Sequence, residues 1–290
     1  MLIEAFIMQI KPFIRKSLIA ALAVMLMLLT GSCSVERQLA AEFMKKKEPV
    51  AVLLLAPDFM YKYSYKIPPV DNFNQLPAEV QDSLLFFNSD LVQYLNDSSF
   101  FNAYINGLSR GLRQLGYTVY REASTGDFIN NKSKAMIVNL AQLQLEEFYD
   151  SISDEASYSD EENYNYGLFI TALNVNSWLE LSHLNQNDTA KRVLYASETY
   201  TDYFDGGFRY FPLTGEVKYY YTIDTLTPDQ VYYYASNTGY QYAGYLFDYL
   251  LNSYITQHMP DKSQPIQPYT YDRNSGMIRK SKGQGFIELK

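Results

Sequence analysis

The first apolar segment after the N-terminal region is a continuous run, Ala51–Ala56, that ends at Pro57. An apolar run of this length without polar interruptions is typical of a strand buried on both faces. Residues 57–80 contain four prolines. This stretch is expected to form a long ordered loop.

Apolar residues then recur at helical spacing up to Leu115. The serines at positions 98–99 can cap the start of this helix, and Gly116 stands where a helix-ending glycine is expected. Residues 117–120 can enter the next strand. A short helix at 89–95 is an additional candidate.

Three later segments read as strands, with apolar and polar residues alternating most clearly in the second. They are 135–148, 168–182 and 192–204. The polar stretch 183–190 predicts that the second and third segments pair as an antiparallel hairpin. Residues 208–211 and 216–223 flank Pro212 and Gly215, which predicts a second hairpin.

Thr227, Pro228 and Asp229 have the order of a helix cap, a first-position proline and an acid in the first turn. The helical pattern continues to Tyr254. The sequence therefore predicts an α/β (α+β) fold. Its sheet is mixed and largely antiparallel, with long hairpins, and is packed by a central helix and a long C-terminal helix.

The chain divides into a signal peptide at 1–32, a tether at 33–49, a single α/β domain at 50–257 and a basic tail at 258–290 that contains Pro and Gly. For the tail we expect a frayed terminus. The alternatives are a partner-binding arm and a small hairpin around Asn274–Gly276.

The N-terminal segment has the order of a secretory signal. Three basic residues within 11–16 precede an apolar stretch, Ser17–Thr30. This stretch is shorter than the roughly 20 residues that a membrane-spanning helix needs. Either Met1 or Met8 is the start, since the residues before Met8 add nothing that a signal needs.

Thr30, Gly31 and Ser32 precede Cys33, the only cysteine of the chain. This resembles the lipobox of bacterial lipoproteins, and the Tyr- and Asn-rich composition resembles Bacteroidetes lipoproteins. The resemblance implies that Cys33 is acylated and that the signal is cut before it. The alternative is an ordinary signal peptide with a chance cysteine.

The resemblance also implies a location in the cell envelope. Several acyl chains on Cys33 would anchor the chain stably in a membrane. No acidic run follows Cys33 directly. In Bacteroidetes-like lipoproteins such a run tends to mark surface export, so the expected location is the outer membrane, facing the periplasm.

The order of elements over roughly 50–257 resembles small α/β domains of envelope lipoproteins and related proteins. These are the lipoprotein activators of peptidoglycan synthases, the curli-secretion lipoprotein and the N-terminal domain of the Tol translocation protein B. No functional residue of those families can be matched by position, so the resemblance implies a fold and an envelope setting alone.

Composition excludes several classes of protein. A single cysteine excludes an internal disulfide framework and a zinc site built on several thiolates. Two histidines are too few for a metal site built mainly on histidine ligands. The net charge of −8 becomes −10 for the chain from Cys33 onward. An acidic chain lacks the basic footprint of a nucleic-acid binder. No cofactor and no metal site are predicted.

The sequence contains no nucleophile elbow, P-loop, HExxH motif or EF-hand loop. Glu146, Glu147 and Asp150 are candidate acid/base carboxylates. Glu146 and Glu147 are adjacent on a predicted strand, so they should point to opposite faces and cannot act together. The acidic run 146–162 is expected to be a solvated loop, with weak calcium binding as the alternative.

Tyrosines are the remaining signal, since the chain has 28 of them. Tyr219, Tyr221 and Tyr233 belong to triplets that cannot all face one core, and tyrosine is common at interfaces. Trp178 lies on the polar face of its strand; we expect a helix to cover it, with an exposed anchor as the alternative. These four residues form the candidate contact surface.

The sequence as a whole favours a non-enzymatic, membrane-anchored periplasmic lipoprotein. It would be an accessory or binding module of a cell-envelope assembly or transport complex, with an envelope protein as its partner. One alternative is a glycan- or lipid-binding lipoprotein, which needs an exposed aromatic patch. The other is a hydrolase built on scattered carboxylates, which needs two acids that converge in a cleft.

Overall fold

The computed structural model describes residues 34–46, 50–68, 70–131, 134–159, 162–184, 191–263 and 266–289. The chain divides into two compact units. Among the described residues, the larger unit comprises 50–249 and 283–289, and the smaller unit comprises 34–46 and 250–282.

The helices of the described residues are α1 Val35–Lys45, α2 Ala78–Phe87, α3 Asp97–Gln114, α4 Thr125–Ile129 and α5 Pro228–His258. The strands are β1 Val50–Leu55, β2 Tyr61–Ser64, β3 Thr118–Arg121, β4 Lys134–Ser159, β5 Glu162–His183, β6 Arg192–Thr201, β7 Tyr203–Phe211, β8 Glu216–Asp224, β9 Tyr269–Asp272, β10 Met277–Lys280 and β11 Ile287–Leu289.

The larger unit is built on a mixed sheet with the strand order β11-β6-β5-β4-β1-β3. Strand β1 pairs in parallel with β3 and β4, and all pairs from β4 to β11 are antiparallel. Strand β2 also pairs in parallel with β4, further along it than β1, where Tyr61 lies opposite Gln144. The predicted α/β fold class with a largely antiparallel sheet is confirmed.

Both predicted hairpins are present. Strands β5 and β6 pair from Ala172 opposite Thr201 to Leu181 opposite Arg192. Strands β7 and β8 pair over their full lengths, and Gly215 in their turn has a φ of 71°. Glycine adopts this left-handed conformation without the steric cost that other residues have.

Helices α3 and α5 are in close contact with each other. Tyr104 of α3 and Tyr242 of α5 are fully buried, and their rings meet edge to face with centroids 6.1 Å apart. A Cβ on Gly107 would collide with the carbonyl oxygen of Ser236, and one on Gly239 with the carbonyl oxygen of Tyr104. The two helix backbones therefore touch at this pair of glycines.

The segment before α3 differs from the expectation. Residues 57–80 are not one loop, because they contain β2, a short 3-10 turn at Phe73–Gln75 and the start of α2 at Ala78. The candidate helix at 89–95 is wrong, since this segment forms bends and turns after α2 ends. Pro77 immediately precedes α2, a position where its fixed φ and missing N–H cost nothing.

The start of α3 differs as well. Asn96 caps this helix, and its Oδ1 accepts a hydrogen bond from the backbone N–H of Ser99 at 2.9 Å. The two serines that were expected to cap the helix lie inside its first turn. Asparagine is as good a cap as serine, so the local pattern alone does not separate them.

The acidic run 146–162 is not a loop. Strand β4 continues through it and pairs with β5 as far as Ser159 opposite Glu162. The end of this hairpin packs on the β7–β8 ribbon through aromatic rings, with Tyr166 stacked on Tyr219 at 4.0 Å. We call residues 150–171 together with 203–224 the aromatic arm.

Asp202 lies at the base of the aromatic arm, between β6 and β7. Its carboxylate is buried and accepts hydrogen bonds from the backbone N–H groups of Thr171, at 2.7 Å, and Leu226, at 2.8 Å. The Asp202 backbone N–H in turn donates to the Thr171 carbonyl at 2.9 Å. One side chain thus joins the middle of β5 to the ends of β6 and β8.

The smaller unit contains α1, the end of α5 and the antiparallel β9–β10 hairpin. Its core is small and is formed by buried side chains from all three parts. They are Ala40, Leu251, Ile255, Met259 and Tyr269. Asn252 holds Tyr269 by two hydrogen bonds to its backbone, each 2.8 Å long.

Two predicted segments change character in this unit. Residues 33–49 were expected to be a tether, but Leu39, Ala40 and Phe43 lie at helical spacing and pack in the core, so α1 forms there. In the tail, 258–290, the alternative of a hairpin around Asn274–Gly276 is found instead of a frayed terminus. Gly276 has a φ of 66° in its turn.

The predicted signal peptide, 1–32, and the lipobox residues Thr30, Gly31, Ser32 and Cys33 lie outside the described residues. Within the described part of the chain, no helix combines the length and the apolar character needed to cross a membrane.

Candidate functional site

The two faces of the sheet in the larger unit differ in character. One face carries apolar side chains such as Leu145 and Val175, and helices α3 and α5 cover it. Tyr200 of β6 contacts this cover directly, with its hydroxyl bonded to Thr238 and its ring stacked on Tyr234 of α5. A register shift between Leu140 and Gln142 changes which β4 residues face the helices.

The other face carries amides, hydroxyls and aromatic rings that are exposed or half-buried except for Asn176. We call this set the open face. Its residues are Tyr61, Tyr63 and Tyr65 on and after β2; Gln142, Gln144 and Glu146 on β4; Asn174, Asn176 and Trp178 on β5; and Tyr195, Ser197 and Thr199 on β6.

A row of exposed apolar and aromatic side chains forms one edge of the open face. Every second residue from Phe59 to Ile67 points outward, and the three tyrosines between them are 41–56% exposed. Of the alternate residues, Met60, Ser64 and Lys66 are buried and Lys62 is half-buried. The rings of Tyr61 and Tyr63 are parallel, with centroids 6.5 Å apart. The segment therefore presents flat rings side by side to solvent.

Hydrogen bonds cross the open face from strand to strand. The Tyr65 hydroxyl donates to Glu146 Oε1 at 3.3 Å, and Asn176 Nδ2 donates to Glu146 Oε2 at 2.9 Å. The Tyr195 hydroxyl donates to Asn176 Oδ1 at 2.7 Å. Along β4, Gln144 Nε2 also donates to Glu146 Oε1 at 2.7 Å. These bonds hold the polar side chains in fixed orientations.

Partial burial and the Glu146 carboxylate raise the pKa of Tyr65. The tyrosine therefore keeps its proton and remains a hydrogen-bond donor over the physiological range. Gln144 uses one N–H and one oxygen lone pair within this network. A primary amide has two N–H groups and two lone pairs, so Gln144 retains capacity for a ligand.

Trp178 is half-buried, and its ring packs on Tyr195 with centroids 5.0 Å apart. A helix was expected to cover it, but helices α3 and α5 lie on the opposite face. Its neighbours Asn174 and Asn176 lie on the same open face, which agrees with the polar alternation of this strand. The alternative, an exposed anchor, describes its position better.

A second polar group lies beneath the tyrosine row. The Lys66 side chain is fully buried, and its Nζ bonds to Asp90 at 2.5 Å, to Glu147 at 2.9 Å and to the Thr171 hydroxyl at 2.8 Å. The Tyr149 ring lies 4.5 Å from Nζ. These contacts use all three ammonium protons, so Lys66 has none left for a ligand.

Glu147 is the buried partner of Lys66. Its carboxylate also accepts three backbone N–H bonds, from Asp90 at 2.7 Å and from Leu91 and Val92 at 3.0 Å each. Burial lowers the pKa of Lys66, but the hydrogen bonds to Asp90 and Glu147 outweigh this effect and raise it. A lysine that stays protonated is neither a base nor a nucleophile, so the group is structural.

The predicted carboxylates behave as expected in one respect. Glu146 lies on the open face and Glu147 on the helix side of the sheet, so the prediction that they point to opposite faces is confirmed. Asp150 is exposed at the start of the aromatic arm. Across the described part of the chain, no three acidic, histidine or cysteine side chains are grouped as metal ligands.

The four predicted contact residues do not form one surface. Tyr219 and Tyr221 lie in the aromatic arm, where both rings pack near Tyr166. Tyr233 is 65% exposed on α5. Trp178 alone belongs to the open face.

Sequence reasoning missed the tyrosine row and Lys66. The signal for the row was the strict alternation of residues 59–67, which the prolines on either side concealed. Lys66 gave no local signal, because its partners Glu147 and Thr171 come from distant strands.

No protein family model matches this sequence, and no curated protein or solved structure matches it at a significant level.

Proposed function

We propose that this chain is a non-enzymatic, lipid-anchored protein of the cell envelope that binds a glycan on the open face. The observation that carries the proposal is the hydrogen-bonded network of Glu146, Gln144 and Asn176 beside the aromatic rings of Tyr63 and Trp178. Proteins that bind sugars need both elements, because a sugar ring offers hydroxyl groups at its rim and C–H groups on its faces.

The chemistry of the open face matches these two needs. Amides and tyrosine hydroxyls both donate and accept hydrogen bonds, as sugar hydroxyls do. Aromatic rings provide a flat apolar surface at a small cost in conformational entropy, since they have few rotatable bonds. Glu146 is the one charged residue among those that define the open face, and its negative charge favours a neutral ligand over an anionic one.

The arrangement supports binding without hydrolysis. The next carboxylate on this side of β5 is Glu180, six residues beyond Asn174, which lies opposite Glu146. Six residues of a strand span about 20 Å. The paired acids of glycosidases lie about 5–9.5 Å apart. Asp150 is four residues beyond Glu146 on the same face of β4, or about 13 Å away. Glu146 is therefore too far from both Glu180 and Asp150 to act with either on one bond.

An envelope protein partner is the second candidate. The ends of the tyrosine row, Phe59 and Ile67, are apolar and are 58% and 66% exposed. Such residues are common at protein interfaces.

The test is binding of the chain from residue 33 onward, carrying Cys33→Ser, to a panel of neutral and anionic polysaccharides that includes peptidoglycan. We expect retention on a neutral glycan. Isothermal titration should show Tyr63→Ala and Trp178→Ala binding that glycan about tenfold more weakly, a loss of ~1.4 kcal/mol for each ring.

Tyr233→Ala is the matched control, because Tyr233 is also exposed, 65% against 44% for Tyr63, but lies on α5 and should leave the affinity unchanged. Equal affinities for all three variants would contradict the open face as the binding site. If no glycan is retained and crosslinking in cells captures an envelope protein through residues 59–67, the second candidate replaces the first. If the protein releases shorter sugars from any of these polysaccharides, that result would contradict the non-enzymatic role.

A further inference from the structure

Charge is divided unevenly between the two units. Residues 34–47 and 250–282, which form the smaller unit from Ser34 onward, contain nine Lys and Arg against four Asp and Glu, a net charge of +5. The larger unit contains 12 Lys and Arg against 27 Asp and Glu, a net charge of −15. An acidic chain thus carries a small basic unit.

The surplus positive charge lies on the surface of the smaller unit. Glu42 pairs with Lys46, and Asp272 pairs with Arg279 at 3.0 Å. The basic residues beyond these pairs include four that are exposed: Arg37 and Lys45 on α1, and Lys280 and Lys282 at the end of the β9–β10 hairpin. These side chains are free to approach a charged surface.

This surface lies close in sequence to the predicted anchor. Ser34 is the cap of α1, and its hydroxyl is 3.0 Å from that of Tyr269. The pKa of Glu36 is lowered chiefly by hydrogen bonds to the backbone and to Ser34, with a smaller contribution from Lys280, so Lys280 lies near the start of α1. The residue before Ser34 is Cys33.

We propose that the smaller unit is a membrane-contact module that binds the surface of anionic phospholipids through Arg37, Lys45, Lys280 and Lys282. The occupant is a lipid surface, because these residues belong to a unit whose chain continues directly into the acylation site proposed for Cys33. A basic patch supplies a second attraction besides the acyl chains, by an independent mechanism.

The inference goes beyond glycan binding and does not depend on it, since the open face belongs to the larger unit. It also does not require acylation to be tested. The protein for the test is the chain from residue 33 onward with Cys33→Ser, which has no acyl chains.

The experiment measures cosedimentation with vesicles of phosphatidylcholine alone and with vesicles that also contain phosphatidylglycerol. We expect binding to the anionic vesicles only, weakening as salt is raised. Arg37→Gln, Lys45→Gln and Lys280→Gln should each lower the affinity about fivefold, which corresponds to ~1 kcal/mol per charge.

Arg113→Gln and Lys191→Gln are the matched controls, because both residues are exposed but belong to the acidic larger unit. Circular dichroism of each variant shows whether it remains folded. The inference is overturned if the two vesicle types bind equally, if neither binds, or if the controls lower binding as much as the other three variants do.

A basic unit and an acidic unit on separate copies could also attract each other. Self-association at low salt without vesicle binding would therefore assign the basic surface to a second copy instead.

Discussion

Lys66 and Glu147 show how single residues hold the larger unit together. Lys66 belongs to the segment after β2, and Glu147 belongs to β4. The backbone N–H groups that donate hydrogen bonds to Glu147 belong to the turn before α3. Breaking a buried ion pair by removing one partner leaves the other charge without compensation. The tyrosine row lies on the opposite side of the segment that Lys66 fixes.

Lys66→Met should therefore destabilise the protein by about 3 kcal/mol, since Glu147 stays buried with its backbone donors but without its cation. The measurement is urea unfolding followed by circular dichroism. Lys191→Met is the control, because its ion pair with Glu180 is at the surface and should contribute less than about 1 kcal/mol. Equal losses in the free energy of unfolding for the two variants would show that burial adds nothing to the contribution of the Lys66 ion pair.

Tyr242 gives a prediction about pH. Burial raises the pKa of its hydroxyl, so the folded protein keeps a proton that the unfolded chain releases above about pH 10. Stability should therefore be full below pH 10 and fall above it, by about 1.4 kcal/mol per pH unit for each such group. The raised pKa of Lys66 acts in the same direction.

Tyr242→Phe should make this alkaline decline shallower by about 1.4 kcal/mol per pH unit. At neutral pH the variant should be as stable as the parent or more so, because no partner for the Tyr242 hydroxyl is present among the described residues. Urea unfolding at several pH values between neutrality and about pH 11 tests both statements. An unchanged slope would mean that the hydroxyl titrates in the folded state.

At the scale of elements, the contact between α3 and α5 depends on two glycines. Gly107→Ala or Gly239→Ala should destabilise the protein by about 1–3 kcal/mol, because the added methyl group forces the helix backbones apart. Gly126→Ala is the matched control: its position in α4 is open, and alanine there should be neutral or slightly stabilising. Thermal unfolding measures all three, and similar melting temperatures would contradict the close contact.

Strands and helices with a complete local pattern were predicted well. The β5–β6 hairpin has alternating residues on β5 and a polar connection, and α5 has a cap, a proline and an acid in sequence at its start. In these elements the residues that decide the structure are neighbours in sequence. The antiparallel pairing of the two strands then follows from the pattern.

Elements that depend on distant partners were not predicted. The acidic run became part of β4 because Tyr158, Tyr164 and Tyr166 pack on rings of β7 and β8, more than 30 residues later. Helix α1 formed because the end of α5 and Tyr269 provide its core. No local pattern shows which distant residues will pack on a segment. A polar strand and a loop are built from the same residue types, so composition does not separate them.

The candidate site was predicted in part for the same reason. The polar alternation of Asn174, Asn176 and Trp178 was visible in the sequence and is half of the open face. The other half comes from Tyr61, Tyr63 and Glu146, which the parallel pairing of β2 with β4 brings alongside. Parallel pairing between distant segments has no signature in either strand alone.

At the scale of the whole molecule, the proposed anchor can be tested directly. Cys33→Ala should move the protein from the membrane fraction to the soluble fraction and block processing, because the thiol that would be acylated is gone. Fractionation of cells and gel mobility measure this. An unchanged membrane fraction with unchanged mobility would contradict lipidation and would leave a basic surface as the remaining source of membrane attachment.

Trp178 is the only tryptophan of the chain, and it lies on the open face. Its indole fluorescence therefore comes from one place, next to Tyr195 and at the boundary with solvent. A ligand that stacks on this ring would replace water there and shift the emission to shorter wavelength. The smaller unit itself contains no tryptophan, so the protein carries its own optical label for the glycan proposal.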